Sequence, residues 1–501
     1  MGAAGSGALS PGKSMEPWQS GIVFAYFAVL AILSVYGLHR YLILFLYHRH
    51  YKWKPRPPAR EWSGVERPSV TVQLPLYNEM YVARRVIEAA ASMRYPVDRL
   101  HIQVLDDSSD ATTTIANETA AELRARGFHV DVIHRDVRDS FKAGALRAGL
   151  EQTGADLVAI FDADFVPPVD FLEKTVPQFQ DPQVGMVQTR WGYLNRDYSL
   201  LTRVQALLLD GHFVLEHTAR SHSGRFFNFN GTGGVFRRCA ILDAGGWEGD
   251  TLTEDLDLSY RAQLRGWRFV FLPDVEVPSE LPVDIFGFKN QQHRWTKGSI
   301  QVGRKLLPRI WRSAAPMRVK LEATFHLSAN LSYPLLVLLS IMMPFAVAMR
   351  AQNLTRGPFA LEAAVFGLTT ASVFIFYAVA QRELGRNWRV RLRDLPFILA
   401  IGVGMCINNA GAVLEALARH ETPFVRTAKY RIESFRDLWK GKLYRSARKP
   451  TLFIELLLAT YMVAGFAAIA WIGEWAALPY LGLFVVGYVY VFGLSVAHAR
   501  R

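Results

Sequence analysis

The stretch LVAIFDADFVPP, residues 157–168, sets an apolar run directly before two carboxylates, Asp162 and Asp164, with one alanine between them. In an extended segment, residues i and i+2 project to the same side. The pair would then aim two hard oxygen ligands at one point, and carboxylates that close repel unless a cation lies between them. Mg²⁺ or Mn²⁺ held by one or two carboxylates plus substrate phosphates fits that demand. A lone DxD is equally a solvated strand-end turn. Here the buried run before it and further acids at other strand ends favour the cation site.

Working outward, β-rich runs at 70–76, 101–105, 129–133, 157–161 and 184–188 alternate with helix-like stretches at 79–93, 110–126 and 141–151. This alternation predicts an α/β domain over residues 65–300, with a largely parallel sheet and helices on both faces. In such sheets ligands sit beyond the carboxyl ends of the strands. Acids gather there: Asp106 and Asp107 follow one run, Asp162 another, and Tyr77-Asn78-Glu79 a third.

Half of the 501 residues are apolar and a fifth are charged, low for a soluble protein. Six apolar runs, 21–46, 331–349, 359–380, 395–417, 452–471 and 476–496, approach the roughly 20 residues that cross a bilayer core. The first is too long for a signal peptide, and residues 1–17, rich in Gly, Ser and Ala, are expected to be disordered. Arg40, Arg49, Lys52, Lys54, Arg56 and Arg60 follow the first run, against Lys13 before it, which puts residue 50 onward inside. Basic loops at 382–393 and 419–449 flank the run 395–417, which also carries Asn408, Asn409 and Glu415. That run is expected to be re-entrant or interfacial, leaving five spans; six spans with one basic loop outside is the alternative. The expected layout is a first span (18–47), the α/β domain, interfacial helices (301–325), two spans (326–381), a re-entrant helix and basic loop (395–450), and two last spans (451–497). The net charge of +13 suits nucleic acid, anionic lipid or a phosphorylated substrate. Much of it sits in membrane-flanking loops, so membrane lipids account for it and nucleic acid is set aside. A transporter or channel would need intramembrane charges and paired repeats, and neither stands out. Cys239 and Cys406 give no disulfide framework or zinc site.

Other stretches allow two readings each. In TLTEDLDLSYRAQLRG, residues 251–266, Thr251 and Glu254 fit a capping box, while Asp255 serves either the helix dipole or a strand-end cleft as general base. FNFNGTGGVFRR, 227–238, reads as a hairpin turn or as backbone brought close to a ligand at Gly231 and Thr232. In NQQHRWTKGS, 290–299, Trp295 offers a flat face to a sugar ring or a bilayer interface, and Arg294 pairs with phosphate or lipid headgroups; His293 reads as a helix-surface side chain. Lys142, at a helix start, calls for an anionic partner such as a diphosphate, or is a surface lysine.

Taken together, Asp107, Asp162-Ala163-Asp164, Thr253-Glu254-Asp255 and Gln291-Gln292-His293-Arg294-Trp295 resemble the D, DxD, TED, QxxRW pattern of family-2 processive glycosyltransferases. VLDDSSDATT, AIFDADF, VQTRW, FNGTGG and QQHRW are similar to stretches of plant cellulose synthase-like mannan and glucomannan synthases and their bacterial relatives. The resemblance implies a GT-A-like α/β domain with a Rossmann-like mixed sheet, inserted between the helices of an α-helical membrane region. It implies a nucleotide-diphospho-sugar donor, GDP-mannose or UDP-glucose, and a growing β-linked glycan as acceptor; a lipid acceptor is the alternative. Asp106, Asp107 and Asp162 would contact the donor, as would Lys142. Asp164 would hold Mg²⁺ or Mn²⁺. Asp255 would be the base beside Glu254. Gln291, Arg294 and Trp295 would bind diphosphate and acceptor, with Gly231 and Thr232 on the acceptor side. Phe424, Thr427 and Lys429 resemble the gating pattern FxVTxK, with Arg426 where that pattern has Val. The implied location is the plasma or inner membrane, or a Golgi-like endomembrane, with the catalytic domain cytosolic. No feature of the sequence specifies an oligomer or an export partner.

Overall fold

The β-rich runs assemble into one seven-stranded sheet with the order β3-β2-β1-β4-β6-β5-β7. The strands are β1 (Val70–Leu76), β2 (Leu100–Asp106), β3 (His129–His134), β4 (Leu157–Ile160), β5 (Val184–Tyr193), β6 (Gly234–Arg237) and β7 (Arg268–Ser279). This computed structural model describes residues 16–52, 67–351, 359–385, 387–420, 425–434, 436–439, 441–447 and 451–499. Expectations placed on residues 1–15 and on Lys54, Arg56, Arg60, Arg386, Phe424, Lys440, Arg448 and Lys449 lie outside these residues.

Strands β1 to β4 run parallel, and β5 pairs parallel with β7. Strand β6 is wedged antiparallel between β4 and β5. The sheet is therefore mixed, and FNGTGGVFRR is no hairpin: it delivers β6 into the middle of the sheet. At four residues β6 is too short to announce itself by alternation. Helices cover both faces, so β4 is buried at every position and reads as one apolar run. The polar residues within β1 are paired: Thr71 meets the Thr153 hydroxyl at 2.6 Å, and Gln73 donates to Gln103 at 3.0 Å.

Three local expectations are corrected. The helix expected over 79–93 is Ala83–Ala91, because Asn78 turns the chain with φ 53° before it. Strand β5 extends five residues past 188, to Tyr193. The helix Glu254–Leu264 is capped by Thr253, with no side-chain hydrogen bond, so Thr251 and Glu254 form no capping box. Glu254 is left free of that structural task.

Among the described residues, five helical segments are long and apolar enough to cross a membrane: Pro17–His50, Met317–Ala351, Glu362–Glu383, Leu452–Ile472 and Trp475–Ala499. A sixth candidate, Trp388–Gly404 with Cys406–Leu417, is bent by 43° at its break. Its polar residues face the helix Ile285–Arg312. Asn408 donates to the Lys289 carbonyl at 3.0 Å, and Glu415 takes Lys297 at 3.1 Å and His293 at 3.2 Å. His293 is thus a buried pairing residue and not the helix-surface side chain expected. The same long helix is tied to two of these apolar segments by Lys289, whose ammonium meets Glu455 at 2.6 Å and Ser495 at 2.7 Å.

Breaking a buried ion pair costs about 3–5 kcal/mol, because the surviving charge is stranded, whereas replacing both partners with apolar groups is often neutral. Lys289→Met should therefore lower the thermal unfolding midpoint in detergent, and the double change Lys289→Met/Glu455→Leu should restore most of the loss. A single variant as stable as the parent would refute the pairing.

Candidate active site

The carboxyl ends of β1, β2, β4 and β7 open onto one cavity of about 170 Å³. The antiparallel course of β6 places its entry loop, with Asn230 and Gly231, at the same end. The wall is completed by the start of the Glu254–Leu264 helix, by Gln291, Arg294 and Trp295 on the long helix Ile285–Arg312, and by Arg426, Thr427 and Lys429. Residues from well-separated parts of the chain thus meet over a few ångströms.

The charge balance is lopsided. Glu79, Asp107, Asp162, Asp164, Glu254, Asp255 and Glu280 line the cavity, facing Arg138, Lys142, Arg294, Arg426 and Lys429. Asp162 and Asp164 follow β4 and lie outside any strand. Phe165 donates its N–H to the Asp162 carbonyl at 3.0 Å, so the DxD sits in a turn and not in an extended segment. Each carboxylate has its own cation: Lys142 reaches Asp162 at 2.5 Å, and Lys429 reaches Asp164 at 2.5 Å. Asp107 is held by Arg135 through two bonds of 2.7 and 2.6 Å.

Burial raises the carboxyls that lack so close a partner. Asp255 is pushed up to about 7, first by desolvation and then by the Glu254 carboxylate beside it, with Lys142 opposing. Glu254 is raised by the same desolvation. Glu79 is also pushed up to about 7, by burial and by Asp164, against the pull of Arg426 and Lys429. Burial works against the charge on Lys142, but Asp162, Glu254 and Asp255 outweigh it and raise the ammonium. A carboxyl poised near neutrality is what a general base at physiological pH requires.

Backbone geometry enforces the crowding at Gly231. Its φ is 82°, and a Cβ there would stand 3.0 Å from Asp255 Oδ2 and 3.4 Å from Lys142 Nζ. Its carbonyl accepts from Lys142 at 2.8 Å. Only glycine meets both demands at low cost.

Two expected site residues lie off the cavity. Asp106 is fully buried, its carboxylate consumed by the Ser108 N–H, the Thr113 hydroxyl and His134 at 3.0, 2.6 and 2.8 Å. It shapes the end of β2 and does not line the cavity. Thr232 is buried behind the wall, where its hydroxyl accepts from the Asp162 N–H at 2.9 Å. Sequence reasoning passed over others. Glu280 accepts the N–H groups of Tyr430 and Arg431 at 3.0 and 2.9 Å and so docks the basic loop. Arg138 lies 3.5 Å over the Tyr77 ring. Trp191, in VQTRW, faces Trp295 with ring centroids 6.4 Å apart. Glu280 was legible only as an acid following a strand; the other two carried no chemical signal of their own.

Residues 68–298 match the family model described as glycosyltransferase like family 2. Two plant relatives are similar over about half of this chain. A probable glucomannan 4-beta-mannosyltransferase 2 of Oryza sativa subsp. japonica is 42% identical over 287 residues, 55% of this chain and 49% of its own. Glucomannan 4-beta-mannosyltransferase 2 of Arabidopsis thaliana is 42% identical over 270 residues, 53% and 51% respectively. The chain thus spans about half the length of these curated relatives. Among solved structures, the mannosyltransferase PcManGT from Pyrobaculum calidifontis, in complex with GDP-Man and Mn²⁺, shares the fold with a TM-score of 0.54 at 23% identity. The match covers 79% of this chain and 100% of that one.

Infrared titration of the Asp255 carboxyl should give a midpoint near 7, well above the roughly 4 of a free aspartate. Glu254→Gln removes a neighbouring negative charge and should move that midpoint down. A wild-type midpoint in the ordinary range would contradict the buried, crowded setting.

Proposed function

We propose, from the match of residues 68–298 to the glycosyltransferase family 2 model and the likeness to glucomannan mannosyltransferases, that the protein is an inverting hexosyltransferase of the cellulose synthase-like kind that extends a β-linked glycan at the membrane surface. The donor is a nucleotide-diphospho-sugar, GDP-mannose before UDP-glucose. Support for mannose comes from the glucomannan mannosyltransferase relatives and from the GDP-Man bound by the fold neighbour. The observation that carries the reading is the meeting, in one cavity, of Asp164, Asp255, Arg294 and Trp295 at the carboxyl ends of the strands.

The chemistry follows from the residues. Asp107 lies at the cavity wall on the β2 side, where a nucleotide would rest. Lys142, Arg294 and Lys429 supply positive charge for a diphosphate. The Asp164 carboxylate is a hard oxygen donor that here meets the Lys429 ammonium, a cation in the place a metal would take, and it would hold Mg²⁺ or Mn²⁺. That ion would act as a Lewis acid on the leaving diphosphate. Asp255 accepts the proton of the acceptor hydroxyl as its oxygen bonds to the anomeric carbon. The bond from that carbon to the diphosphate oxygen breaks, the nucleoside diphosphate departs, and an α-linked donor becomes a β-linked product. Trp295, paired with Trp191, offers the apolar face on which the acceptor ring rests.

The basic residues beside the first span support a cytosolic position for the domain. The helix bearing Trp295 packs on the spanning helices, and we assign the product's exit to them. A single sugar placed on a lipid is the competing outcome, and product size separates the two.

Purified protein with Mn²⁺ or Mg²⁺ and a panel of labelled nucleotide sugars should yield a product cut by β-mannan- or β-glucan-specific hydrolases. Asp255→Asn should bind donor as the parent does, with transfer lowered about 10²–10⁴-fold. Full activity in that variant would refute the base assignment. Asp255 works only when ionised, and its pKa is raised. Transfer should therefore rise with pH through about 7 and fall away below it.

A further inference from the structure

Asn230 lines the cavity beside Gly231 and stands outside the charge pairs. Its backbone N–H is fixed by Gln188 Oε1 at 2.9 Å. Its side-chain amide is gripped on both sides: Nδ2 lies 2.9 Å from His212 Nε2, and Oδ1 lies 2.5 Å from His217 Nε2. The shorter contact suits an N–H to oxygen bond and is too close for two nitrogens, which orients the amide.

The tautomers follow. His217 donates through Nε2, and its buried Nδ1 has no hydrogen-bond partner among the described residues, as befits the bare nitrogen of a neutral ring. Burial, with His212 and Arg220 nearby, holds His217 well below its usual range. His212 accepts at Nε2, so its proton sits on Nδ1 and goes to Glu216 at 3.0 Å. Arg220 anchors Glu216 at 3.2 Å and Glu322 at 3.0 Å, and Glu322 meets His39 of the first span at 3.0 Å.

A local departure from α-helix makes this clamp. Gly211–His217 is a π-helical turn. Residues five apart are about 140° apart around an α-helix. The wider turn brings the two imidazoles to 4.3 Å between centroids. Such turns gather at functional sites. Gly211 permits it, since a Cβ there would stand 2.5 Å from the Tyr377 ring.

An amide has two N–H donors and two acceptor lone pairs. The clamp uses one of each and leaves one of each for the cavity. Two residues on, the Thr232 carbonyl accepts from Trp191, the partner of Trp295, at 3.4 Å. We propose that Asn230 binds hydroxyls of the acceptor sugar, and that His212 and His217 are positioning residues that hold its amide for that contact. The inference rests on the glycosyltransfer reading above.

His217 packs among Phe213, Phe227 and Phe271, each with ring centroids 5.3 Å away. Phenylalanine therefore suits its packing, while glutamine keeps an N–H donor. A role in packing alone predicts that His217→Phe serves well and His217→Gln poorly; positioning predicts the reverse. The experiment measures hexose transfer against acceptor oligosaccharide concentration, with donor affinity and thermal unfolding recorded for each variant. Asn230→Ala and His217→Phe should each lower kcat/KM for acceptor at least about tenfold, the worth of one hydrogen bond, with donor Kd unchanged. His217→Gln should stay within about threefold, and His217→Phe/Asn230→Ala should be no worse than Asn230→Ala alone. A fully active His217→Phe, or losses that multiply in the double variant, would overturn the proposal. A wild-type protein that transfers no hexose to any acceptor would instead overturn the functional reading beneath it.

Discussion

Seven carboxylates at one edge of a sheet, inside a partly desolvated cavity, are the constraint around which the rest is arranged. Uncompensated charge of one sign is costly in such a place. The chain answers in two ways. Some carboxyls receive an ion-pair partner, as Asp162, Asp164 and Asp107 do. Others are pushed toward neutrality, as Asp255, Glu254 and Glu79 are. The two answers differ in kind: in the first a neighbouring cation balances the charge, and in the second burial and crowding favour the protonated form.

The partners come from outside the sheet's own strands. Lys142 begins the Phe141–Glu151 helix, and Arg294 rides on the helix that leads to the membrane. Lys429 belongs to the basic loop after the bent helix pair and lies 265 residues beyond the aspartate it meets. Glu280, at the end of β7, docks that loop through two backbone N–H groups. The α/β domain therefore does not complete its site alone. The segments around the long apolar helices close it, which ties the shape of the site to the seating of the domain on those helices.

Much was legible beforehand. The runs that became β1 to β5 and the helix Phe141–Glu151 follow from apolar patterning, which is local. The strand-end acids Asp107, Asp162 and Asp164, the helix-start acid Asp255, and Arg294 and Trp295 were singled out from residue type and place, Gln291 from the family resemblance, and all line one cavity. Asp106 misled because two adjacent aspartates at a strand end look alike; the alternation of the strand sends one to the cavity and buries the other among Ser108, Thr113 and His134. Thr232 misled because a hydroxyl in a glycine-rich loop serves the backbone as readily as a ligand.

Sequence alone determined the alternation of strands and helices, the apolar segments long enough to span a bilayer, and the kinds of side chain at the strand ends, since each is written in neighbouring residues. Tertiary structure alone decided that β6 enters the sheet antiparallel, that each aspartate of the DxD has its own lysine, and that a π-helical turn clamps Asn230. Those outcomes depend on distances between groups far apart along the chain, and such distances exist only once the core has packed.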